Sequence, residues 1–283
     1  MFSDPACPWA YSESPPLRVI EWRYGDQLQW RLVLIGLTET SDQYANRGYT
    51  LLRGALSQLA FRRYGMPFSP APKARLSATA PACRAIVAAR LERPGSEWAV
   101  FRALQLANFT SPLVLEDASQ LRDVLATVPG VDPARVIARL EDPEVTDGYQ
   151  RDKDETRTAA GSAAELQGKT STSDGPVRFT APSLVLEADG RRLVAGGMQP
   201  VEAYDVLIAN LDPTLDRQPP PETPAPLLAH FLGGLTTQEV AALMTHGNDL
   251  PDRRAAEAAL IELLADGRAV RRPLGDDALW TAA

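Results

Sequence analysis

The sequence is poor in the residues that most site chemistries need. Its 283 residues hold two cysteines, Cys7 and Cys83, and two histidines, His230 and His246. Two thiols exclude a secreted disulfide scaffold, and no spacing among these four residues matches a zinc site. A Cys–His dyad would need the C-terminal segment to fold over Cys7, which is not expected. Lysine is scarce as well: only Lys73, Lys153 and Lys169 stand among 29 basic residues. With the many alanines and prolines, that usage hints at a GC-rich bacterial source. No apolar run approaches the ~20 residues of a membrane span. No basic stretch followed by an apolar one opens the chain, so no signal peptide is expected and the chain reads as cytoplasmic. Glycine-rich phosphate loops are missing too, since no Gly-Lys-Ser follows Gly196-Gly197. A net charge of −7 speaks against a general nucleic-acid or anionic-membrane binder.

What is present is a real core, with 45% apolar residues, in a length that suggests about two domains. The chain is organised around Phe2-Ser3-Asp4-Pro5-Ala6-Cys7-Pro8-Trp9-Ala10-Tyr11. Proline fits a first helical turn, where its missing N–H has no partner to lose. Cys7 is therefore expected at a helix N-terminus, where free N–H groups and the helix dipole favour thiolate over thiol. The plain alternative is a buried cysteine acting as a small hydrophobe. Asp4 would raise the thiol if the two charges meet, and its ordinary job is a turn ahead of Pro5. Trp9, Tyr11 and Trp30 either line a groove or fill the core.

Met1-Phe2-Ser3 reads as the tail of a strand, either stunted or begun further upstream. The run from Trp9 breaks before Pro15-Pro16, which open a second segment to Tyr24, giving a kinked helix. Residues 27–35 alternate apolar and polar and are expected to form a strand. From Ser41 the chain reads as helical, with candidates at 51–64, 78–91, 98–108, 121–127, 134–140 and a long polar helix over 143–166. Asp117 and Asp132 stand where N-caps belong. Residues 177–187 and 191–195 then form a hairpin about Ala188-Asp189-Gly190, and a helix runs from Gln199-Pro200 to Asn210. Strand, helix, strand, helical insert, hairpin and helix make the thioredoxin plan with an insertion. Pro182 inside an apolar strand is anomalous; a cis Ala181–Pro182 bond resolves it, a trans proline at an edge or bulge being the alternative.

Asp4-Pro5-Ala6-Cys7-Pro8-Trp9 resembles the active-site stretch D-P-x-C-P-W-C of DsbA-like thioredoxin-fold oxidoreductases, in the branch of disulfide isomerases and mycothiol-dependent reductases. Thr180-Ala181-Pro182-Ser183-Leu184-Val185 is similar to that family's cis-proline strand, and the likeness covers roughly residues 1–211. The resemblance implies that Cys7 is the nucleophile. It implies that Pro8 and Trp9 tune the nucleophile, and that Ala181 and Pro182 meet the substrate. The family's second cysteine is Ala10 here, so the intramolecular resolving step is gone. Three outcomes stay open: a monothiol resolved by mycothiol or glutathione, a distant resolving Cys83, or a fold that binds without reacting. Cys83, in the first turns of an apolar helix, reads as packed and inert. Kappa-type glutathione transferases and the related isomerases are the rival enzyme class.

Residues 212–226 read as a semi-rigid proline-rich linker. Residues 227–283 form a small module: a short helix at 227–232, a capping box at Thr236-Thr237-Gln238-Glu239, a helix over 253–265 capped by Asp252, and a terminal hairpin. This looks like a winged helix-turn-helix. Five arginines against eight acids leave the module at −3, so nucleic acid is not the expected partner despite the cluster of Arg253, Arg254, Arg271 and Arg272. The expected fold class is thus α/β: a thioredoxin-like domain (1–211, helical insert about 45–168) plus a C-terminal winged-helix-like α+β domain. The expected activity is monothiol thiol–disulfide exchange in the cytoplasm. No bound cofactor and no metal are expected. A small thiol or disulfide would be the partner, and a homodimer is left open.

Overall fold

The computed structural model describes residues 1–173, 175–247 and 249–283. Strand β1 (Phe2–Ser3) leads through a turn into α1 (Pro8–Ser12) and α2 (Ser14–Tyr24). The two helices break at Glu13, so Pro15 and Pro16 fall in the first turn of α2, where no N–H is needed. The strand expected over 27–35 is shorter. Gly25–Gln27 form a 3-10 turn, and only β2 (Val33–Leu34) pairs, because β1 offers only Phe2 and Ser3 as partners.

The insert holds α3 (Ser41–Asn46), α4 (Leu51–Phe61), α5 (Ala80–Glu92), α6 (Glu97–Thr110), α7 (Ala118–Leu125), α8 (Pro133–Ala138), α9 (Pro143–Thr156) and α10 (Ala163–Leu166). Asp117 and Asp132 cap α7 and α8 by accepting from backbone amides one turn on. The single helix expected over 143–166 is two. Ala159 is buried and its amide donates to the Val177 carbonyl, which pulls the backbone out of the helix after α9. The insert's core is built on α5, with Leu32 and Leu34 packed into it.

Next come β3 (Thr170–Ser171), β4 (Arg178–Phe179), β5 (Ser183–Ala188), β6 (Arg191–Gly196) and α11 (Val201–Leu211). The strand expected over 177–187 is interrupted at Pro182, and its halves join different sheets: β4 pairs with β3, β5 with β1 and β6. Asp189 and Gly190 both take positive φ (50° and 75°), the geometry of a two-residue turn whose twist suits a hairpin. The main sheet runs β2-β1-β5-β6, with β1 and β2 parallel and the other pairings antiparallel. That is a thioredoxin-like order carrying a helical insertion between β2 and β5. Leu17, Ile20 and Tyr24 of α2 pack with Tyr204 and Ile208 of α11 against Leu184 and Ala195 of the sheet.

Residues 212–224 carry no helix or strand and lie along α2: the Trp22 indole donates to the Pro219 carbonyl, and the Gln218 amide to the Arg23 carbonyl. Beyond them are α12 (Ala225–His230), β7 (Leu235–Thr236), α13 (Thr237–Leu243), α14 (Arg253–Ala265), β8 (Ala269–Leu274) and β9 (Asp277–Ala282). Thr236 and Glu239 make the capping box of α13, and Asp252 caps α14. The three strands lie in the order β7-β9-β8. Their core around Trp280 takes in Val19 and Trp22 of α2, so this module rests on the second helix after the Cys7 turn. Buried Glu239 adds a polar link, accepting from the two terminal guanidinium nitrogens of Arg102 and from the Ser14 hydroxyl.

Candidate active site

Cys7 is the N-cap of α1, with extended backbone (φ −82°, ψ 115°) and Pro8 in the first turn. The turn ahead of it is built by Asp4: the Cys7 amide donates to the Asp4 carbonyl at 3.2 Å, and the Ala6 amide to Asp4 Oδ1 at 2.9 Å. The other carboxylate oxygen does more than the sequence indicated. Asp4 Oδ2 accepts from the Leu37 amide, the Thr79 hydroxyl and, at 3.7 Å, the Cys83 thiol. Asp4 therefore ties the Cys7 turn to the segment after β2 and to the start of α5. Cys83 is fully buried and committed to that carboxylate.

The Cys7 thiol is 6% exposed and donates to the Ala181 carbonyl at 3.2 Å. The Ala181–Pro182 peptide is cis. The thiolate preference expected from the helix terminus is overturned. Burial pushes the thiol up to about 12, with the Asp4 charge adding to it. The amides of Ala10 and Trp9 and the Arg178 guanidinium pull the other way without winning. A five-residue helix has a weak terminus, and desolvation of a buried sulfur is the larger effect.

Cys7, Pro8 and Trp9 line one wall of a cavity of about 490 Å³, whereas Ala181 meets Cys7 from the strand side through its carbonyl. The opposite walls come from the insert. Tyr44, Arg47 and Tyr49 enter from α3 and the turn after it, and Gly54, Gln58 and Phe61 from α4. Lys73 and Arg75 enter from the loop before α5, and Arg178 from β4. Trp9 is 43% exposed and packs edge-on against Phe61, with centroids 4.8 Å apart, and against Tyr64. Among the described residues no carboxylate lines the cavity. Arg75 is offset by Glu116. Among the described residues Lys73 donates only to oxygens of Asn108 and Leu113, and burial lowers its ammonium to about 8. Arg47 donates to the carbonyls of Leu37 and Ser173.

Sequence reasoning missed these residues, because they come from α3, α4, the loop before α5 and β4, which lie far apart in the chain. The one available signal was Lys73, one of three lysines, set after a proline-rich run. Trp30 packs edge-on to Trp98 of the insert helix α6, and Tyr11 stacks on Phe109 in the core. His230 packs against Trp22 and Phe231 in the C-terminal module, away from the cavity lining, and His246 is exposed. Among the described residues no cluster of His, Cys, Asp and Glu is placed to hold a metal, and no helix is long and apolar enough to cross a membrane.

Residues 1–160 match the family model described as the DSBA-like thioredoxin domain. Among solved structures, the chain is similar to the cytosolic disulfide reductase DsbM from Pseudomonas aeruginosa. Identity is 19% and the TM-score 0.51, over 74% of this chain and 96% of that one. The same protein with GSH gives a TM-score of 0.52. A probable DsbA oxidoreductase from Streptomyces coelicolor is similar at 18% identity and a TM-score of 0.55, over 75% of this chain and 88% of that one. At these identities the likeness establishes a shared fold. No curated protein matches the sequence.

Proposed function

The chain belongs to the DSBA-like thioredoxin domain family, a family of thiol–disulfide oxidoreductases, and we propose that Cys7 acts in it as a lone nucleophile resolved by a low-molecular-weight thiol. One observation carries the reading: Cys7 caps α1, lines the cavity beside Trp9, and places its sulfur against the carbonyl that precedes cis Pro182. The Cys7 thiolate attacks a disulfide, forming a new S–S bond and releasing one half as a thiolate that takes up a proton. A second small thiol then attacks the outer sulfur of the adduct, and Cys7 leaves and is reprotonated. No internal shortcut competes, because Ala10 stands where a resolving cysteine would be and Cys83 is buried on Asp4.

The raised thiol shapes this chemistry. At neutral pH Cys7 is protonated, so the first attack is slow, and a thiol of high pKa also leaves slowly. The mixed disulfide is therefore long-lived. Lys73 and Arg47, whose partners are neutral oxygens, favour a thiol bearing carboxylates, such as glutathione, over the uncharged mycothiol. One DsbM structure holds GSH, which agrees with that preference. The expected setting is the cytoplasm, where small thiols are abundant.

Intact mass after incubation with glutathione disulfide or mycothiol disulfide tests the reading. Wild type and Cys83→Ser gain one adduct, the glutathione one faster, and Cys7→Ser gains none. An adduct on Cys7→Ser, or a Cys7–Cys83 disulfide, overturns it. The high thiol pKa favours one second reading, a thioredoxin-fold binding protein without turnover; that reading gains if no adduct forms at any pH up to 10.

A further inference from the structure

The family match ends at residue 160, and the C-terminal module has no part in the proposed reaction. Its hairpin nevertheless grips the segment that follows α4, whose Phe61 lines the Cys7 cavity. Gly275, in the β8–β9 turn at φ +58°, sits so near the chain that an added Cβ would meet the Phe68 carbonyl oxygen at 2.9 Å. Asp276 Oδ1 accepts from the Phe68 amide at 2.7 Å, and Oδ2 meets Arg62 at 2.8 Å. Arg253, the first residue of α14, donates to the Gly65 carbonyl at 2.8 Å and is held in turn by Asp277. Leu274 and Leu279 pack into the cluster of Tyr11, Phe61 and Phe68.

The gripped segment bears on the Cys7 helix from its other side. Tyr11 of α1 donates its hydroxyl to the Pro67 carbonyl at 2.8 Å. The rings of Phe61 and Tyr64, at the start of the segment, carry Trp9. Residues 65–68 have no helix or strand of their own, so their position is set by what holds them. Of these holds, the exposed Arg62–Asp276 ion pair is weak. The Asp276 bond to Phe68 is different: Phe68 is fully buried, and losing its acceptor leaves an N–H with no partner.

We propose that the C-terminal module is a buttress for the Cys7 entrance, with Asp276 as the positioning residue. Asp276 fixes the 62–68 segment and, through Phe61 and Tyr64, holds the Trp9 ring beside Cys7. Its consequence for turnover rests on Cys7 being the reacting thiol, but the positioning itself does not.

The test uses the full chain and two readouts that need no turnover. One is the Trp9 indole N–H resonance, assigned with Trp9→Phe; the other is the alkylation rate of Cys7 by iodoacetamide, read by mass on its peptide. Asp276→Ala should move the Trp9 resonance and speed alkylation about fivefold, the opening expected from one lost, partly buried hydrogen bond. Asp276→Asn keeps a carbonyl for the Phe68 amide and should stay within about twofold of wild type on the same argument. Arg253→Met removes the separate anchor on Gly65 and should shift both readouts the same way, which keeps the test decisive if Asp276→Ala does not fold. Arg23→Ala, which breaks an ion pair with Asp205 away from the cavity, should lower Tm and leave both readouts alone. The proposal is overturned if Asp276→Ala or Arg253→Met lowers Tm with the Trp9 resonance and the alkylation rate unchanged. It is equally overturned if Arg23→Ala shifts both readouts as far as Asp276→Ala. Failure of the exchange reaction itself shows separately, in the adduct experiment on Cys7.

Discussion

The Cys7 thiol and the Ala181 carbonyl oxygen, 174 residues apart in the chain, meet at 3.2 Å with the sulfur as donor. Proton and sulfur are therefore both engaged in the resting state. Such a bond favours the thiol over the thiolate, in the same direction as burial. The site is assembled to hold a thiol until something displaces the proton.

The pH dependence of Cys7 follows. With the thiol raised from 9.0 to about 12, the thiolate fraction grows about tenfold per pH unit below that value. Alkylation of Cys7 should rise steadily from neutral pH to pH 10 without levelling. A plateau near neutrality would show a thiolate that burial does not suppress. Linkage sets the matching effect on stability. A folded pKa raised above the unfolded one contributes stability that is complete below pH 9 and fades as pH climbs towards 12.

Asp4 is the charge that adds to that shift. Asp4→Asn should lower the Cys7 pKa, seen as a leftward displacement of the alkylation profile. It should also destabilise by about 1–3 kcal/mol, since one amide oxygen cannot replace a carboxylate that accepts from Ala6, Leu37, Thr79 and Cys83. A displaced melting curve with an unchanged alkylation profile would separate the turn-building role from the electrostatic one and remove the latter.

Ala10 lies one helical turn after Cys7 and is buried in the cluster that holds it. Ala10→Cys should form an internal disulfide with Cys7 on oxidation and shorten the life of the glutathione adduct, because release becomes intramolecular. Free-thiol counting and adduct decay by mass would check it. An adduct of unchanged lifetime in Ala10→Cys would mean that the bimolecular exit is not what limits release.

Glu239 supplies the acid-side prediction. Burial alone would raise its pKa, but the Arg102 guanidinium, helped by Arg18 and the Ser14 hydroxyl, holds it down at about 2. A depressed carboxylate contributes stability above its unfolded value of 4.5, and loses it as pH falls from there towards 2. Glu239→Gln should flatten that acid-side loss. Arg102→Met should cost about 3–5 kcal/mol at neutral pH, the usual effect of leaving a buried charge unpaired. Chemical denaturation at several pH values reads both; equal acid-side slopes in wild type and Glu239→Gln would contradict the first.

Much of the local structure was legible in the chain. Asp117, Asp132, Thr236 and Asp252 sit ahead of helical runs, and each caps the helix it precedes. Asp189-Gly190 makes the hairpin turn, and Pro182 carries the cis bond. The errors have a common source in partners supplied from afar. The alternating run over 27–35 pairs only where β1 offers a partner. The polar helix over 143–166 breaks where Ala159 turns to meet Val177.

The Cys7 turn, the loss of its neighbouring thiol at Ala10 and the thioredoxin-like order of elements are written in local residues, because capping, proline and alternation act over a few residues. The protonation of Cys7 comes from packing, since burial is a sum over residues brought from every part of the chain. Packing alone decided that Lys73, Arg47 and Trp9 share one cavity. It also decided that the hairpin at Gly275-Asp276 leans on Phe68, a contact 208 residues apart that no local pattern records. Short-range rules place a cysteine at a helix end; long-range packing sets the dielectric around it, and with that its chemistry.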